Sequence, residues 1–335
     1  MCKTFIGILA VMAAVVLSGC GVKADNAARE NLAILADGES VSPSDVIETG
    51  LKISFNPDSA YAYVARQVEF GPRVPNTEAH KQAGEWLSSE LKRHGGKVIE
   101  QKADLKAFDG TVLKSKNIFA QFNPENKDRI LLLAHWDSRP WADKDPDASN
   151  HKKAVPGAND GASGTGVLLE IARQISVEGT DKGIDILFVD AEDWGTDGDE
   201  DSWALGTKYF VEHLPVAGYS PQVAILLDMV GGKGATFCRE YFSEQSAPGV
   251  AQEIWDMAHK SGYGELFLNR MGSAILDDHV QLIKSGIPAI DIVEYHPEDE
   301  NGFNPRWHTV SDNMEGISKE TLGAVGDTVL KWLMK

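Results

Sequence analysis

Positive charge and cysteine are both scarce in this sequence. The 335 residues include 32 Lys and Arg against 50 Asp and Glu, so the formal net charge is −18. Because proteins bind phosphate groups mainly through Lys and Arg, this balance argues against a nucleic-acid partner. Cysteine occurs 3 times, and no HExxH motif is present, which excludes a zinc site built from two histidines on one helix. The length and the hydrophobic content of 42% are typical of a globular enzyme with one large α/β domain or two small ones.

The N-terminus has the pattern of a bacterial export signal. Lys3 precedes an apolar run over residues 5–17, which is shorter than the ~20 apolar residues that span a bilayer. Residues 17–20 read LSGC and resemble a lipobox, which implies cleavage before Cys20 and a lipid on Cys20. The alternative is an ordinary soluble export signal, but the small-x-small cleavage site that it needs is absent.

These features divide the chain into three predicted parts. They are a lipoprotein signal peptide over residues 1–19, a polar tether over residues 20–55, and a folded domain over residues 56–335. The protein is expected in the bacterial cell envelope, lipid-anchored and facing the periplasm, with the outer membrane as the favoured destination. Since Cys20 would carry lipid, Cys238 is left without a partner and no disulfide is expected.

Strand and helix patterns alternate along the rest of the chain. Short apolar runs predict buried strands, and wider spacings of apolar residues predict amphipathic helices. This alternation predicts one α/β domain with a mostly parallel central sheet. The predicted strands are 97–105, 115–122, 130–134, 184–190, 223–229 and 289–293, and the predicted helices are 60–70, 81–91, 162–175, 203–213, 250–261, 280–285 and 318–334.

Histidine and carboxylate residues recur where the predicted strands end. The carboxyl ends of parallel strands meet at one edge of an open sheet, so these side chains should converge there. Imidazole with carboxylate suits zinc, and a catalytic zinc site uses three protein ligands and leaves one position open. Each residue alone has an ordinary role, such as the helix N-cap that Asp160 could form, but together they predict a metal site. The set is His135, Asp137, Asp160, Glu192, Asp193, Asp228 and His308.

Several motifs around these residues resemble a known family. The segments HWDS (135–138), GANDGASG (157–164), LLDM (226–229) and WHT (307–309), with the Glu192-Asp193 pair, are similar to zinc-dependent aminopeptidases of the M28 type. Within that family, GPR at 71–73, DDH at 277–279 followed by GIP at 286–288, and Trp307 directly before His308 resemble glutaminyl cyclases. The resemblance runs from about residue 60 to the C-terminus. It implies a three-layer α/β sandwich of the phosphorylase/hydrolase-like type, with a mixed, mostly parallel sheet.

The resemblance also implies a role for individual residues. Asp160, Asp193 and His308 would bind one zinc ion, and Glu192 would be the general acid/base. Asp228 and Asp277 would form a carboxylate network beside it, although Asp277 could instead be a helix N-cap. The peptide bond between Asp160 and Gly161 would be cis.

The substrate pocket is expected to be small, with aromatic walls. Trp307 and Phe303 are candidates for these walls. Animal cyclases carry Glu-Glu where this chain has Glu192-Asp193, and the loop over residues 194–202 departs from their pattern. The far wall of the pocket could therefore be formed by any of three tryptophans, Trp136, Trp194 or Trp203. We predict Trp194; the alternative for each of the three is ordinary packing in the hydrophobic core.

The activity that follows is cyclisation of the N-terminal glutamine of peptides or proteins to pyroglutamate, with release of ammonia. The main alternative is a two-zinc aminopeptidase of the same fold, in which His135 and Asp228 hold a second ion and Asp160 bridges the two. Another alternative is a lipid-anchored binding protein with a structural zinc or no activity. A structural site has four closed ligands, usually with Cys, so three ligands beside an unused Glu192 argue against it.

Overall fold

The computed structural model describes residues 54–296 and 302–335. The predicted signal peptide, the lipidation site Cys20 and nearly all of the predicted tether lie outside the described residues, and the predicted domain boundaries stay predictions. Within the described ranges, no helix combines the length and the apolar character that crossing a bilayer requires.

The described chain alternates between helices and strands through most of its length. The helices are α1 (Pro57–Glu69), α2 (Glu78–Arg93), α3 (Ala162–Glu178), α4 (Leu205–Glu212), α5 (Tyr241–Ser246), α6 (Pro248–Lys260), α7 (Asp278–Lys284) and α8 (Lys319–Leu333). The strands are β1 (Lys97–Lys106), β2 (Val112–Phe122), β3 (Arg129–His135), β4 (Gly183–Val189), β5 (Val223–Asp228), β6 (Phe237–Arg239), β7 (Phe267–Met271) and β8 (Ala289–Val293). Short 3-10 turns lie at Ala148–Asn150, Glu200–Ser202 and Met314–Gly316.

Six strands form the central sheet, in the order β1-β2-β4-β3-β5-β8. The four strands β4, β3, β5 and β8 run parallel to one another, and β2 is antiparallel both to β4 and to the edge strand β1. The predicted mixed, mostly parallel sheet is confirmed. Because the parallel strands share a direction, the chain segments after β3, β4, β5 and β8 all leave the sheet at the same edge.

Both faces of the sheet are covered, so the fold is the expected three-layer sandwich. Ile130 and Leu132 of β3 point to one hydrophobic cluster, and the alternate residues Leu131 and Leu133 point to another. This period of two is what a strand buried on both faces requires. The first cluster includes residues of α1, α2, α3, α6 and α8, and the second includes residues of α4 and α7.

Helix α3 lies unusually close to the sheet near its first turn. A Cβ atom added at Gly164 would lie 2.1 Å from the carbonyl oxygen of Leu227 in β5 and 2.9 Å from the Cβ of Ala134 in β3. Only glycine allows this approach. The contact fixes the start of α3, and with it the segment that carries Asp160, against the carboxyl ends of two strands.

Several element boundaries differ from the sequence prediction. Helix α4 begins at Leu205 rather than at residue 203, because Ala204 has a left-handed backbone with φ of 55°. The strand predicted over 223–229 ends at Asp228, where Met229 turns the chain with φ of 48°. The elements β6, β7 and α5 were not predicted; β6 and β7 pair in a separate two-stranded sheet.

Candidate metal centre and active site

Three buried side chains from remote parts of the chain meet at the carboxyl edge of the sheet. Asp160, Asp193 and His308 each offer one ligand atom, and these atoms all lie within 4.8 Å of one another. The Nε2 atom of His308 lies 3.1 Å from Oδ1 of Asp193 and 3.5 Å from Oδ2 of Asp160. The structure therefore brings together the three residues that the family resemblance implies as zinc ligands.

The chemistry of this cluster fits a divalent cation. Oδ2 of Asp193 and Nδ1 of His308 are buried and have no hydrogen-bond partner. Burial raises the pKa of Asp193 to about 7, although Arg139 and His135 oppose the rise, and burial lowers the pKa of His308 to about 3. Two carboxylates and one neutral imidazole are donors that zinc accepts, and an ion among them would compensate the buried negative charge.

A second group of possible ligands shares one residue with the first. His135, Asp160 and Asp228 also offer atoms within 4.8 Å of one another. Nε2 of His135 lies 2.9 Å from Oδ1 of Asp160 and 3.2 Å from Oδ1 of Asp228. Burial lowers the pKa of His135, but the close carboxylates of Asp137, Asp160 and Asp228 outweigh this effect, and the pKa ends well above its usual value. The two-zinc alternative therefore has its second set of ligands in contact.

Neighbouring loops hold the ligand-bearing segments in place. Asp137, just after β3, accepts the backbone N–H groups of Glu192 at 3.2 Å and Asp193 at 3.3 Å. Asp312 accepts the N–H groups of Asn159 at 2.9 Å and Asp160 at 3.1 Å. The peptide bond between Asp160 and Gly161 is cis, as the resemblance implies.

The buried side chain of Arg73, in the GPR motif, donates hydrogen bonds to two loops next to the ligand cluster. It is fully buried and donates to the carbonyl oxygens of Trp136 at 3.0 Å, Pro156 at 2.7 Å and Gly157 at 2.5 Å. From the sequence alone, Arg73 is notable only as part of a motif that resembles the family, and no role is predicted for it. The structure gives it a physical role, because one guanidinium ties the segment after β3 to the segment before Asp160.

A cavity of about 480 Å³ adjoins the metal-ligand cluster. Its acidic and imidazole lining includes Asp160, Glu192, Asp228, Asp277 and His308, and its apolar lining includes Trp203, Met229, Ile275, Leu276, Tyr295, Phe303 and Trp307. The ring of Trp307 stacks on His308 with centroids 3.7 Å apart. A larger groove of about 990 Å³ lies between α2 and the β1–β2 hairpin, but it contains none of the predicted site residues.

The prediction that Trp194 lines the substrate pocket is corrected by this geometry. Trp194 packs edge-on against Trp141, with ring centroids 5.6 Å apart, in a separate hydrophobic cluster with Ala191. Trp203 lines the cavity instead, and its ring lies parallel to His308 at 6.1 Å. Trp136 is fully buried and stacks on His80.

Three of the carboxyl groups that line the cavity have raised pKa values. Burial is the largest cause of the rise at Glu192, Asp228 and Asp277, and the neighbouring carboxylates add to it. The pKa of Asp277 reaches about 7, and that of Glu192 lies well above its usual value. Asp277 also accepts the N–H of Asp278 as the N-cap of α7, so it caps a helix and lines the cavity at once. A carboxyl group with a pKa of about 7, such as that of Asp277, can hold or release a proton near neutral pH.

Comparison with known proteins shows which family this chain is similar to. The family model described as peptidase family M28 matches residues 117–333. Aminopeptidase YwaD of Bacillus subtilis is 31% identical over 270 residues, which are 77% of this chain and 52% of that protein, so the chain spans about half of the length of this relative.

Two solved structures are similar over nearly their whole length. A crystal structure described as a Zn-dependent exopeptidase, from Parabacteroides distasonis, is 53% identical with a TM-score of 0.83, and the match covers 84% of this chain and 99% of that one. Glutaminyl cyclase of Porphyromonas gingivalis is 50% identical with a TM-score of 0.82, and the match covers 83% of this chain and 98% of that one.

Proposed function

The chain belongs to peptidase family M28, and within that family we propose that it is a zinc-dependent glutaminyl cyclase. It would convert the N-terminal glutamine of peptides or proteins to pyroglutamate and release ammonia. The observation that carries the proposal is that Glu192 and Asp277, both with raised pKa values, line the same aromatic-walled cavity as the candidate zinc ligands. The 50% identity to a bacterial glutaminyl cyclase supports it.

In the proposed reaction, the α-amine of the substrate attacks the carbonyl carbon of its own side chain. A carbon–nitrogen bond forms, the bond to the side-chain amide nitrogen breaks, and ammonia leaves. Because both groups belong to one residue, holding it in the right conformation supplies much of the rate enhancement. Asp160, Asp193 and His308 would hold a zinc ion, which would supply Lewis-acid polarisation of the side-chain carbonyl.

Glu192 carries the proton in this scheme. It takes one proton from the attacking amine and gives it to the departing nitrogen, so one carboxylate serves both steps. Asp277 and Asp228, which share the cavity with Glu192, would hold a proton between them and donate a hydrogen bond to the leaving amide. The aromatic walls formed by Trp307, Phe303 and Trp203 would exclude water, which would otherwise hydrolyse the side chain to glutamate.

A two-zinc aminopeptidase is the second candidate function. The specific observation in its favour is the contact of His135 with both Asp160 and Asp228, together with the 31% identity to an aminopeptidase. In that reaction Glu192 would activate water for attack on the first peptide bond.

One experiment separates the two activities. The purified protein is incubated with zinc and either a Gln-Ala peptide or an amino-acid anilide, and zinc per chain is measured on the same sample. Ammonia without free amino acid, at about one zinc per chain, is the expected result for the cyclase. Free amino acid at two zinc ions per chain would replace the proposal with the aminopeptidase. No zinc and no product would favour a binding protein.

We also propose that the protein is attached to the bacterial cell envelope through a lipid on Cys20. The support is the LSGC sequence at residues 17–20. A Cys20→Ala variant should then move from the membrane fraction to the soluble fraction or stay unprocessed. Equal membrane retention of variant and wild type would contradict the proposal.

A further inference from the structure

The loop that follows β3 carries a pair of opposite charges next to the metal-ligand cluster, a buried Arg139 and a half-buried Asp143. Arg139 is 2% exposed. Its Nε atom donates to Oδ1 of Asp143 at 2.6 Å, and a terminal nitrogen donates to Oδ2 at 2.8 Å. This two-bond arrangement holds both side chains in a fixed relative orientation.

The other terminal nitrogen of Arg139 reaches a candidate zinc ligand. It donates to the backbone oxygen of Asp193 at 3.1 Å and to its Oδ1 at 3.3 Å, and it also reaches the carbonyl oxygen of Gly195 at 3.3 Å. Oδ2 of Asp193 has no hydrogen-bond partner. One guanidinium therefore restricts the carboxylate of Asp193 while leaving one of its oxygen atoms free.

Asp143 lies beside a second candidate ligand. Its Oδ1 is 3.7 Å from Nδ1 of His308, the ring nitrogen that faces away from Asp160 and Asp193. The backbone N–H of Lys144 donates to the carbonyl oxygen of His308 at 3.2 Å. A carboxylate next to the outer nitrogen of a ligating histidine favours the tautomer with a proton on that nitrogen, which leaves Nε2 free to bind a metal.

Aromatic rings keep Arg139 in this position. Its guanidinium carbon lies 4.9 Å from the ring centroid of Trp203 and 5.2 Å from that of Trp141. The side chain is thus enclosed by two indoles and bonded to two carboxylates, so few other orientations are open to it.

We infer that Arg139 and Asp143 form a positioning pair that sets the orientation of two zinc ligands, His308 and Asp193. The inference rests on the proposed zinc site. Neither residue of the pair needs to touch the ion or the substrate, because each acts through a ligand.

The test measures metal binding rather than turnover. Zinc affinity is measured by competition with a chelating dye, and the visible absorption of the Co²⁺-substituted protein reports the ligand geometry. Arg139→Gln and Asp143→Ala should each weaken zinc binding about 10- to 100-fold and change the Co²⁺ spectrum. The fold-loss of zinc affinity in the double variant should be smaller than the product of the fold-losses in the two single variants, since the two residues act as one unit. Arg139→Lys, which keeps the charge but loses the two-bond geometry, should recover part of the affinity.

Arg173→Gln is the matched control. Arg173 makes the same kind of two-bond pair with Glu170, at 2.7 and 2.8 Å, on α3 about three turns from its start. This variant should keep the zinc affinity and the Co²⁺ spectrum of the wild type. If Arg139→Gln, Arg139→Lys and Asp143→Ala all bind zinc within about 2-fold of a wild type that binds it tightly, the inference is wrong. If the wild type itself binds no zinc, the proposed function fails first and the inference fails with it.

Discussion

Glu192 is next to a candidate zinc ligand in sequence but belongs to neither group of possible metal ligands. Its role in the proposed reaction is to move a proton, so the Glu192→Gln variant should keep its zinc and lose its activity. We expect turnover of a Gln-peptide to fall by at least about 100-fold, the lower end of what general acid–base catalysis contributes. Ammonia release and zinc content per chain are the two measurements. Near-normal turnover, or loss of the zinc, would contradict this assignment.

Trp203 and Trp194 provide a matched pair of tryptophans on one loop. Trp203 lines the cavity and Trp194 packs outside it. Trp203→Ala should raise the KM for a Gln-peptide by about 3- to 10-fold, since an aromatic contact contributes about 0.5–1.5 kcal/mol. Trp194→Ala should leave KM within about 2-fold. Steady-state kinetics on the two variants checks this, and a larger effect from Trp194→Ala would restore the original sequence prediction.

Apolar patterns alone predicted the site residues near strand ends, whereas site residues in long loops, such as Trp307 and His308, were named only through the family resemblance or not at all. Asp193 and Asp228 directly follow or end apolar runs, so their place at the sheet edge follows from the fold class. The position of Trp203 depends instead on the 3-10 turn Glu200–Ser202 and the left-handed Ala204, which have no periodic pattern. Arg139 and Asp143 were not predicted for the same reason, because the loop after β3 has no repeating spacing that reveals which side chains face inward.

At the level of elements, the close packing of α3 on the sheet at Gly164 can be tested by adding a single methyl group there. A Cβ at Gly164 would meet the backbone oxygen of Leu227 at 2.1 Å. Gly164→Ala should lower the free energy of unfolding by about 1–3 kcal/mol, the usual cost of overpacking. Gly249 in α6, where an added Cβ meets nothing within 4 Å, is the control, and Gly249→Ala should be neutral or slightly stabilising. Urea denaturation of both variants distinguishes local strain from a general effect of losing glycine.

Glu240 connects the segment before α7 to the start of α5. Its carboxylate accepts N–H groups from Phe242, Ser243 and Ile275, and Nε2 of His279 lies 3.1 Å from Oε2. Burial raises the pKa of Glu240, but the hydrogen bond and charge of His279 and the backbone donors outweigh it, so the pKa ends below its usual value. Ionised Glu240 therefore stabilises the fold.

Glu240→Gln should cost about 2 kcal/mol of unfolding free energy at pH 7, because it weakens several charge-assisted hydrogen bonds. A carboxylate with a depressed folded pKa stabilises the protein above its unfolded pKa of about 4.3, and this stabilisation is lost as the pH falls through the folded pKa. The difference in unfolding free energy between wild type and variant should thus be largest at neutral pH and should decrease below about pH 4. Urea denaturation of both proteins with excess chelator across that range measures it. A difference that grows on acidification would contradict the assignment.

Most of the elements that the sequence predicted are long enough to show a periodic pattern. The seven-residue strands β3 and β4 have near-continuous apolar character, and α8 has apolar spacing over fifteen residues. By contrast, β6 has three residues, too few to distinguish a strand from a loop. It forms because Phe237 pairs with Phe267 of β7, a contact between segments that are remote in sequence.

For the molecule as a whole, the proposed ion offsets part of a large negative charge. The net charge is −18, and several of the carboxylates are buried together at the sheet edge. Zinc that binds only the folded protein should stabilise it by about 2.7 kcal/mol at 100 times its Kd, which corresponds to a Tm rise of about 5 °C for a folded part of this size. Thermal unfolding with zinc, with Mg²⁺ and with a chelator measures this. The rise should be absent with Mg²⁺ and in the His308→Ala variant, and an equal rise with Mg²⁺ would point to general charge neutralisation.

The three candidate ligands come from residues 160, 193 and 308, and the last of these lies just before the final helix. During synthesis, a nascent chain that has emerged only through α6 already contains both aspartates but no imidazole to complete the set. The set that includes His308 can therefore form only once almost the whole polypeptide has been made, whereas His135, Asp160 and Asp228 are all present by the end of α6. A fragment that ended after α6 would have Asp160 and Asp193 without His308, so zinc binding at the proposed site would require the C-terminal part of the chain.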